Sequence, residues 1–171
     1  AARDGWRRRP SARRHGSRPV ADLGGDHARS GPSGVLAMDD ARTCIERRLR
    51  DENVTLSALQ LDQLTAYMDL LAHWNRRMNL TALDDLAAAV DRLIVEPVIA
   101  AGFIDPAARV LVDVGSGGGS PAVPLKVARP ELALTMIEIK ARKSVFLREV
   151  ARHLGMRDVM VESARFEQVM G

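Results

Sequence analysis

Four of the five residues from position 115 to position 119 are glycines, and they follow directly on the apolar stretch RVLVDV (residues 109–114). A loop without side chains lets a ligand approach the backbone closely. Glu138 ends the next apolar stretch, about two dozen residues later. Three kinds of ligand could use this combination: a phosphate, a dinucleotide, or a nucleoside that carries an amino-acid tail.

The residues around the glycines argue against the first two ligands. A nucleoside-triphosphate loop would end in Gly-Lys-Ser or Gly-Lys-Thr, and a dinucleotide fingerprint would have its third glycine where Ser120 stands. Pro121 and Pro124 remove backbone N–H donors from the start of the next helix, where a phosphate binds. Asp113, at the end of the first apolar stretch, would repel a pyrophosphate but suits the ammonium group of a methionine moiety.

Glu138 supplies the second half of the pattern. The carboxyl ends of neighbouring parallel strands share the edge of the sheet where ligands bind, so a carboxylate there can accept hydrogen bonds from both hydroxyls of a ribose. With Gly115, Gly117 and Gly119 as the close backbone approach, the pattern favours S-adenosyl-L-methionine as a cofactor. An ordinary glycine-rich turn followed by a strand-end acid is the alternative explanation.

Residues 108–171 alternate between strand and helix patterns, and these elements would hold the loop. We predict strands at 109–114, 132–138 and 158–162, with helices to about residue 128 and from 140 to 154, and with Gly155 as the C-terminal cap. The first strand is rich in β-branched residues and is predicted to be buried on both faces. This alternation predicts an α/β fold with a parallel sheet and right-handed crossovers.

Residues 38–107 have helical periodicity and predict a small helical layer. A short helix is expected over 39–50, and a capping box at Ser57–Gln60 starts a second helix with a broad apolar stripe. A third helix is predicted to start at the acidic cap 84–85 and to end or kink at Pro97.

Residues 1–37 predict a disordered tail. They contain eight arginines against three aspartates, a net charge of +5, whereas the remaining residues carry 17 basic and 19 acidic side chains. The tail contains six glycines and three prolines and has no apolar period, so it has too little apolar surface to bury for a stable fold. The tail is interpreted as sequence translated from upstream of a start at Met38 or as another functionless extension; an RNA-binding arginine arm and a transit peptide are the alternatives. We expect its deletion to leave the thermal stability unchanged.

Composition narrows the class of protein. The 171 residues, 46% of them hydrophobic and 27% charged, suit one globular domain with a small appendage, and no apolar run reaches the length of a membrane span. The single cysteine, Cys44, rules out a disulfide framework and suits a reducing, cytoplasmic location. His73 and His153 have no partners at metal-ligand spacing, so no metal site is predicted.

Two separated stretches, LLAHWNRRMNLTAL (70–83) and DVGSGGGSPAVPL (113–125), resemble the glucose-inhibited division protein B (GidB, or RsmG) family. Shorter matches are RPE (129–131), KARKSVFL (140–147) and ARFE (164–167). The resemblance covers about residues 57–170. Members of this family methylate the 7-position nitrogen of a guanine in small-subunit (16S) ribosomal RNA.

The resemblance implies a Rossmann-like class I methyltransferase sheet, incomplete at about three strands, with an N-terminal helical appendage. By position, it makes Gly115 and Ser120 contacts of the methionine end of S-adenosyl-L-methionine and Glu138 the ribose partner. Phe166 and Glu167 become contacts near the adenine.

The resemblance also implies how the chain would act. Arg165 is expected at the pocket rim, facing the RNA of the small ribosomal subunit, and the protein is expected to be a cytoplasmic monomer without membrane or metal partners. Since the guanine nitrogen already carries a lone pair, no catalytic acid or base is named. The cationic residues between positions 140 and 157 are interpreted as a solvated helix face, with RNA phosphate contacts as the alternative.

The chain departs from the family at several points. Ala122 replaces a glycine, and DRLIVEP (91–97) replaces an Arg-His-x-x-Asp-Ser stretch. The family continues past the position of Gly171, so the strand at 109–114 is expected to be central in a larger sheet. We therefore expect this chain to be marginally folded or aggregation-prone and to lack methyl transfer. A cofactor-binding remnant without activity and a nucleotide-dependent oxidoreductase are the competing functions.

Overall fold

A computed structural model of the protein describes residues 38–81 and 85–169, so the predictions for residues 1–37 and for Asp84 lie outside the described residues. The helices are α1 (Met38–Asp51), α2 (Ala58–Met78), α3 (Leu86–Val90), α4 (Glu96–Ala101), α5 (Ala122–Ala128), α6 (Ala141–His153) and α7 (Phe166–Val169), with a π-helical turn at Asp91–Val95 between α3 and α4. The strands are β1 (Val110–Val114), β2 (Ala133–Ile137) and β3 (Val159–Glu162).

The three strands form one parallel sheet in the order β1-β2-β3. Val112 of β1 pairs with Thr135 of β2, which pairs in turn with Met160 of β3. The predicted strands are confirmed to within a residue or two at each end. Together with the intervening helices, they confirm the predicted α/β, Rossmann-like fold.

Only one face of this sheet is covered by described helices. Right-handed crossovers that step in one direction along a sheet place their helices on the same side, and α5 and α6 lie there. On the other face, Val110, Val112 and Val114 remain 65%, 40% and 55% exposed. The prediction that the first strand is buried on both faces is therefore wrong for the described structure, in which β1 is an edge strand covered from one side.

Helix α2 attaches the helical layer to the covered side of the sheet. The capping box is confirmed: the Ser57 hydroxyl accepts a hydrogen bond from the Gln60 backbone N–H, and the Gln60 side chain accepts one from the Ser57 N–H. The Gln60 amide donates to the carbonyl of Val127 (2.9 Å), and the Gln63 amide donates to that of Leu154 (2.8 Å). Glutamines of α2 thus satisfy carbonyls at the C-terminal ends of both sheet-covering helices.

The third predicted helix does not end at Pro97. Asp85 caps α3 as expected, accepting a hydrogen bond from the Ala87 N–H (2.9 Å). The helix then widens into the π-helical turn and continues as α4 to Ala101. In an α-helix the N–H of residue 97 would pair with the carbonyl of Leu93, and proline has no N–H to donate. Of the two outcomes predicted at Pro97, an end or a kink of the helix, the helix does not end there, and the distortion is present as this widened turn.

One hydrophobic core runs from α1 to α6. Ile45 and Leu49 of α1 are buried against it, as their spacing predicts, and Leu64, Tyr67, Met68 and Leu71 form the stripe of α2. Within residues 38–81 and 85–169, no helix has the length and apolar character needed to cross a membrane.

Candidate functional site

The glycine loop is fixed to the carboxyl end of β2. The N–H groups of Gly115 and Ser116 both donate to the carbonyl of Ile137, at 2.8 and 3.2 Å. The N–H of Gly117 donates to Glu138 Oε2 at 2.9 Å. The two features that define the sequence pattern, the loop and the strand-end acid, are therefore in direct contact.

Glu138 joins the loop to the start of α6. Its side chain is buried, with 6% of the residue exposed, and its Oε1 accepts a hydrogen bond from the Lys140 N–H at 2.8 Å. Because each carboxylate oxygen has two lone pairs, both oxygens can still accept a hydrogen bond from a ligand. The carboxylate thus has an internal bonding role that the sequence pattern did not reveal, together with capacity for ribose hydroxyls.

The three predicted glycines differ in how much space surrounds them. A Cβ added at Gly115, where φ is +80°, would meet no atom within 4 Å, so this position faces open space. A Cβ at Gly119, where φ is +91°, would lie 3.0 Å from Val123 Cγ2 and 3.3 Å from Leu147 Cδ2. Gly117 is intermediate, with φ +53° and Lys143 Nζ 3.9 Å away. Gly115 therefore suits close approach of a ligand, whereas Gly119 lets the loop pack on its own helices.

Tyr67 of α2 is hydrogen-bonded to the glycine loop. It is fully buried, and its hydroxyl donates to the carbonyl of Gly118 at 2.7 Å. Burial, and then the nearby carboxylate of Asp113, raise the pKa of Tyr67, which keeps the hydroxyl neutral and able to donate. The sequence indicated Tyr67 only as part of an apolar stripe. The available signal was that a buried tyrosine hydroxyl needs a hydrogen-bond partner.

Asp113 has an unused acceptor. Its Oδ2 is buried and forms no hydrogen bond with any described residue, although most buried polar atoms in proteins are paired. The Tyr67 hydroxyl does not satisfy it, because it donates to the loop carbonyl. A cationic or N–H-bearing ligand group would supply the missing donor, so the residues present fit the ammonium group of a methionine moiety.

Ser120 lies at the loop but directs its hydroxyl elsewhere. Its Oγ donates to the carbonyl of Leu93 at 3.1 Å, the carbonyl that Pro97 cannot pair with. The side chain thus compensates for the distortion in the neighbouring helix. A contact between Ser120 and the methionine end of a cofactor stays a prediction.

The remaining predicted site residues follow β3. Arg165, Phe166 and Glu167 are exposed at the start of α7, where the Arg165 N–H donates to the Gln168 side chain at 3.2 Å. As they follow β3, they belong to the same carboxyl edge of the sheet as Glu138. No hydrogen bond joins their described side chains to the glycine loop, and their assigned roles stay predictions. No group of three or more His, Cys, Asp or Glu in the part of the chain that is described could hold a metal ion.

Comparison with known proteins identifies a family. The family described as rRNA small subunit methyltransferase G (GidB) matches residues 60–170. Curated proteins named ribosomal RNA small subunit methyltransferase G are similar: that of Halorhodospira halophila is 36% identical over 126 residues, covering 74% of this chain and 59% of its own length. Those of Neisseria gonorrhoeae (39% over 114 residues; 67% and 55%) and Ralstonia nicotianae (36% over 140 residues; 78% and 63%) are comparable. The chain thus spans between 55% and 63% of the length of these three relatives.

Proposed function

Because the chain belongs to the GidB family of small-subunit ribosomal RNA methyltransferases, we propose that it binds S-adenosyl-L-methionine and methylates the 7-position nitrogen of a guanine in 16S ribosomal RNA. The observation that carries the proposal is the contact between Glu138 and the glycine loop at the carboxyl edge of the sheet. This edge is where open α/β sheets bind nucleotides and related ligands.

Three groups of the site would hold the cofactor. The Glu138 carboxylate would accept hydrogen bonds from the ribose hydroxyls, and Asp113 Oδ2 would accept one from the methionine ammonium. The backbone at Gly115 would contact the methionine end, since no side chain stands there. Phe166 and Glu167 would lie near the adenine. When bound, the cofactor supplies a methyl group on a positively charged sulfur.

The protein's contribution to transfer is positioning. The guanine nitrogen attacks with its own lone pair, so the site needs no general base and has to hold nitrogen, methyl carbon and sulfur in line. The target guanine has to leave its stack to reach the cofactor. Arg165, exposed beside α7, would contact the RNA at the rim. The small ribosomal subunit is the proposed partner, and we place the protein in the cytoplasm as a monomer.

The cofactor half of the proposal is tested by calorimetric titration with S-adenosyl-L-methionine, S-adenosylhomocysteine and NAD. Binding of the first two and not of NAD is expected. An Asp113→Asn variant tests the ammonium contact, because a neutral amide removes the charge while it keeps the shape. The substitution should weaken the binding of S-adenosyl-L-methionine by roughly 1.5–3 kcal/mol, the range for hydrogen bonds to charged groups. Equal affinity for NAD, or no binding of either S-adenosyl compound, would refute the proposed cofactor.

The transfer half is tested with methyl-labelled cofactor and small ribosomal subunits that lack the modification. Label recovered as 7-methylguanine in 16S RNA is the product that the proposal requires, and it would contradict the expectation from the sequence that this chain lacks methyl transfer. Cofactor binding without label incorporation would refute methyl transfer by this chain and leave the binding site intact.

A further inference from the structure

A concave site lies between α2 and α6, the two helices that pack against the glycine loop. It is a cavity of about 470 Å³, lined from α2 by His73, Trp74, Arg77 and Met78 and from α6 by Arg142 and Glu149, together with Val145. We call it the α2/α6 cavity. Its volume is in the usual range for small-ligand sites, ~300–1,000 Å³. None of the cofactor contacts proposed above uses any of these residues.

The cavity combines a flat aromatic wall with free cationic groups. Trp74 is held by Phe146, with ring centroids 5.6 Å apart and planes tilted by 58°. Arg77 and Arg142 are exposed, and within the described residues neither forms an ion pair or a hydrogen bond. Aromatic rings for stacking and guanidinium groups for phosphates are the elements with which proteins bind single-stranded nucleic acid.

The cavity is also close to the candidate cofactor site. Leu71 of α2 packs under the glycine loop, 3.3 Å from the position of a Cβ at Gly118, and Trp74 follows it by one helical turn. On α6, Lys143 Nζ lies 3.9 Å from the corresponding position at Gly117, and Arg142 is the preceding residue. An RNA strand that presents a base to the glycine loop would therefore pass over the α2/α6 cavity.

We propose that the α2/α6 cavity binds one unpaired nucleotide of the RNA substrate, with the base stacked on Trp74 and the phosphates at Arg77 and Arg142. Glu149 would accept a hydrogen bond from an amino group of the base. This inference rests on the proposed function, since it adds a contact outside the reacting guanine. A concave site requires an unstacked base, so single-stranded RNA is bound and a duplex is not.

The first experiment compares two charge-matched variants of the full chain. Arg77→Gln with Arg142→Gln removes the cavity cations, and Arg152→Gln with Arg157→Gln removes two exposed arginines outside it, which likewise have no described partners. Fluorescence anisotropy with a labelled single-stranded RNA of 12 nucleotides and with its blunt duplex measures affinity at several salt concentrations. The cavity pair should lose about 10-fold or more in affinity for the single strand, and its salt slope should fall by roughly 1.4, two phosphates at ~0.7 each.

The control pair should retain single-strand affinity to within about threefold, on the expectation that these arginines contact no phosphate. Equal losses in the two pairs, or equal binding of duplex and single strand, would overturn the proposal. Displacement of the RNA by polyglutamate at equal charge would also overturn the proposal. It would show that the cavity binds acidic partners in general, including acidic protein segments.

The second experiment tests stacking directly. The chain has two tryptophans, so Trp6→Phe leaves Trp74 as the only indole fluorophore. Single-stranded RNA should quench its emission, whereas an abasic strand of equal length should not. A purely structural role of Trp74 predicts unchanged emission at saturating RNA, and that result would overturn the stacking assignment.

Calorimetry with S-adenosyl-L-methionine separates this inference from the proposed function. The cavity pair should bind the cofactor as the unchanged chain does. A chain that binds the cofactor but no single-stranded RNA would overturn the inference alone. A chain that binds RNA through the cavity but no cofactor would overturn the proposed function and leave the nucleotide site standing.

Discussion

Replacing Glu138 by glutamine tests whether one carboxylate holds the candidate site together. The carboxylate accepts hydrogen bonds from the N–H groups of Gly117 (2.9 Å) and Lys140 (2.8 Å). An amide has one acceptor oxygen, so its NH₂ group has to face one of these donors. That donor is left unpaired in a partly buried position, at a cost of about 1–3 kcal/mol, and the remaining hydrogen bond loses its charge assistance, about 1 kcal/mol more. We expect Glu138→Gln to lower the free energy of unfolding by roughly 2–4 kcal/mol.

Urea unfolding followed by circular dichroism measures this loss. With a slope of about 2 kcal/mol per molar, the midpoint should fall by roughly 1–2 M. Glu52→Gln is a matched control, because Glu52 is exposed and no hydrogen bond of its side chain is described; its effect should stay within about 0.5 kcal/mol. Amide hydrogen exchange adds local resolution: the N–H groups of Gly117 and Lys140 should lose protection in the variant. A midpoint equal to that of the control, with both amides still protected, would refute the bridging role.

Further predictions concern packing and charge away from this carboxylate. Gly119→Ala should lower the unfolding free energy by about 1–3 kcal/mol, since its Cβ would press on Val123 in a backbone conformation that disfavours side chains; thermal unfolding checks this. Burial raises the pKa of Asp69, so the folded protein keeps this carboxyl protonated to a higher pH than the unfolded chain does. The free energy of unfolding therefore falls as the pH rises from about 4 through the raised pKa. Asp69→Asn should therefore be more stable than the unchanged chain at pH 7, with the difference shrinking toward pH 4; a constant difference would contradict this. Lys126→Met should destabilise the protein by about 1–3 kcal/mol in urea, because the ammonium donates to the carbonyls of residues 130 and 132; an unchanged midpoint would contradict this role.

The elements with local signals could be predicted from the sequence. The Ser57–Gln60 capping box, the helical stripe of α2 and the alternation of strands and helices all depend on residues a few positions apart. Gly155 follows α6 with φ +61°, as a C-terminal cap requires. The juxtaposition of the glycine loop with Glu138 was also predictable, because parallel strands bring their carboxyl ends to one edge.

The features that could not be predicted depend on tertiary partners. The sequence predicted that the third helix ends or kinks at Pro97, and local signals could not decide between the two. The widened turn and the Ser120 hydroxyl accommodate the proline without ending the helix. The exposure of Val112 depends on which elements cover the sheet, and a β-branched pattern does not determine that. The α2/α6 cavity depends on how two helices distant in sequence pack, and no motif records such packing.

The position of Glu138 has a consequence for how ligand affinity could be altered. The carboxylate proposed to bind the ribose also accepts hydrogen bonds from the glycine loop and from the N-cap residue of α6, so a change at this position alters ligand affinity and stability together. Phe166 is exposed, and the structure ascribes no comparable anchoring contact to its side chain. Because Phe166 is proposed to lie near the adenine, engineering toward cofactor analogues with enlarged adenine rings should begin at this residue rather than at Glu138.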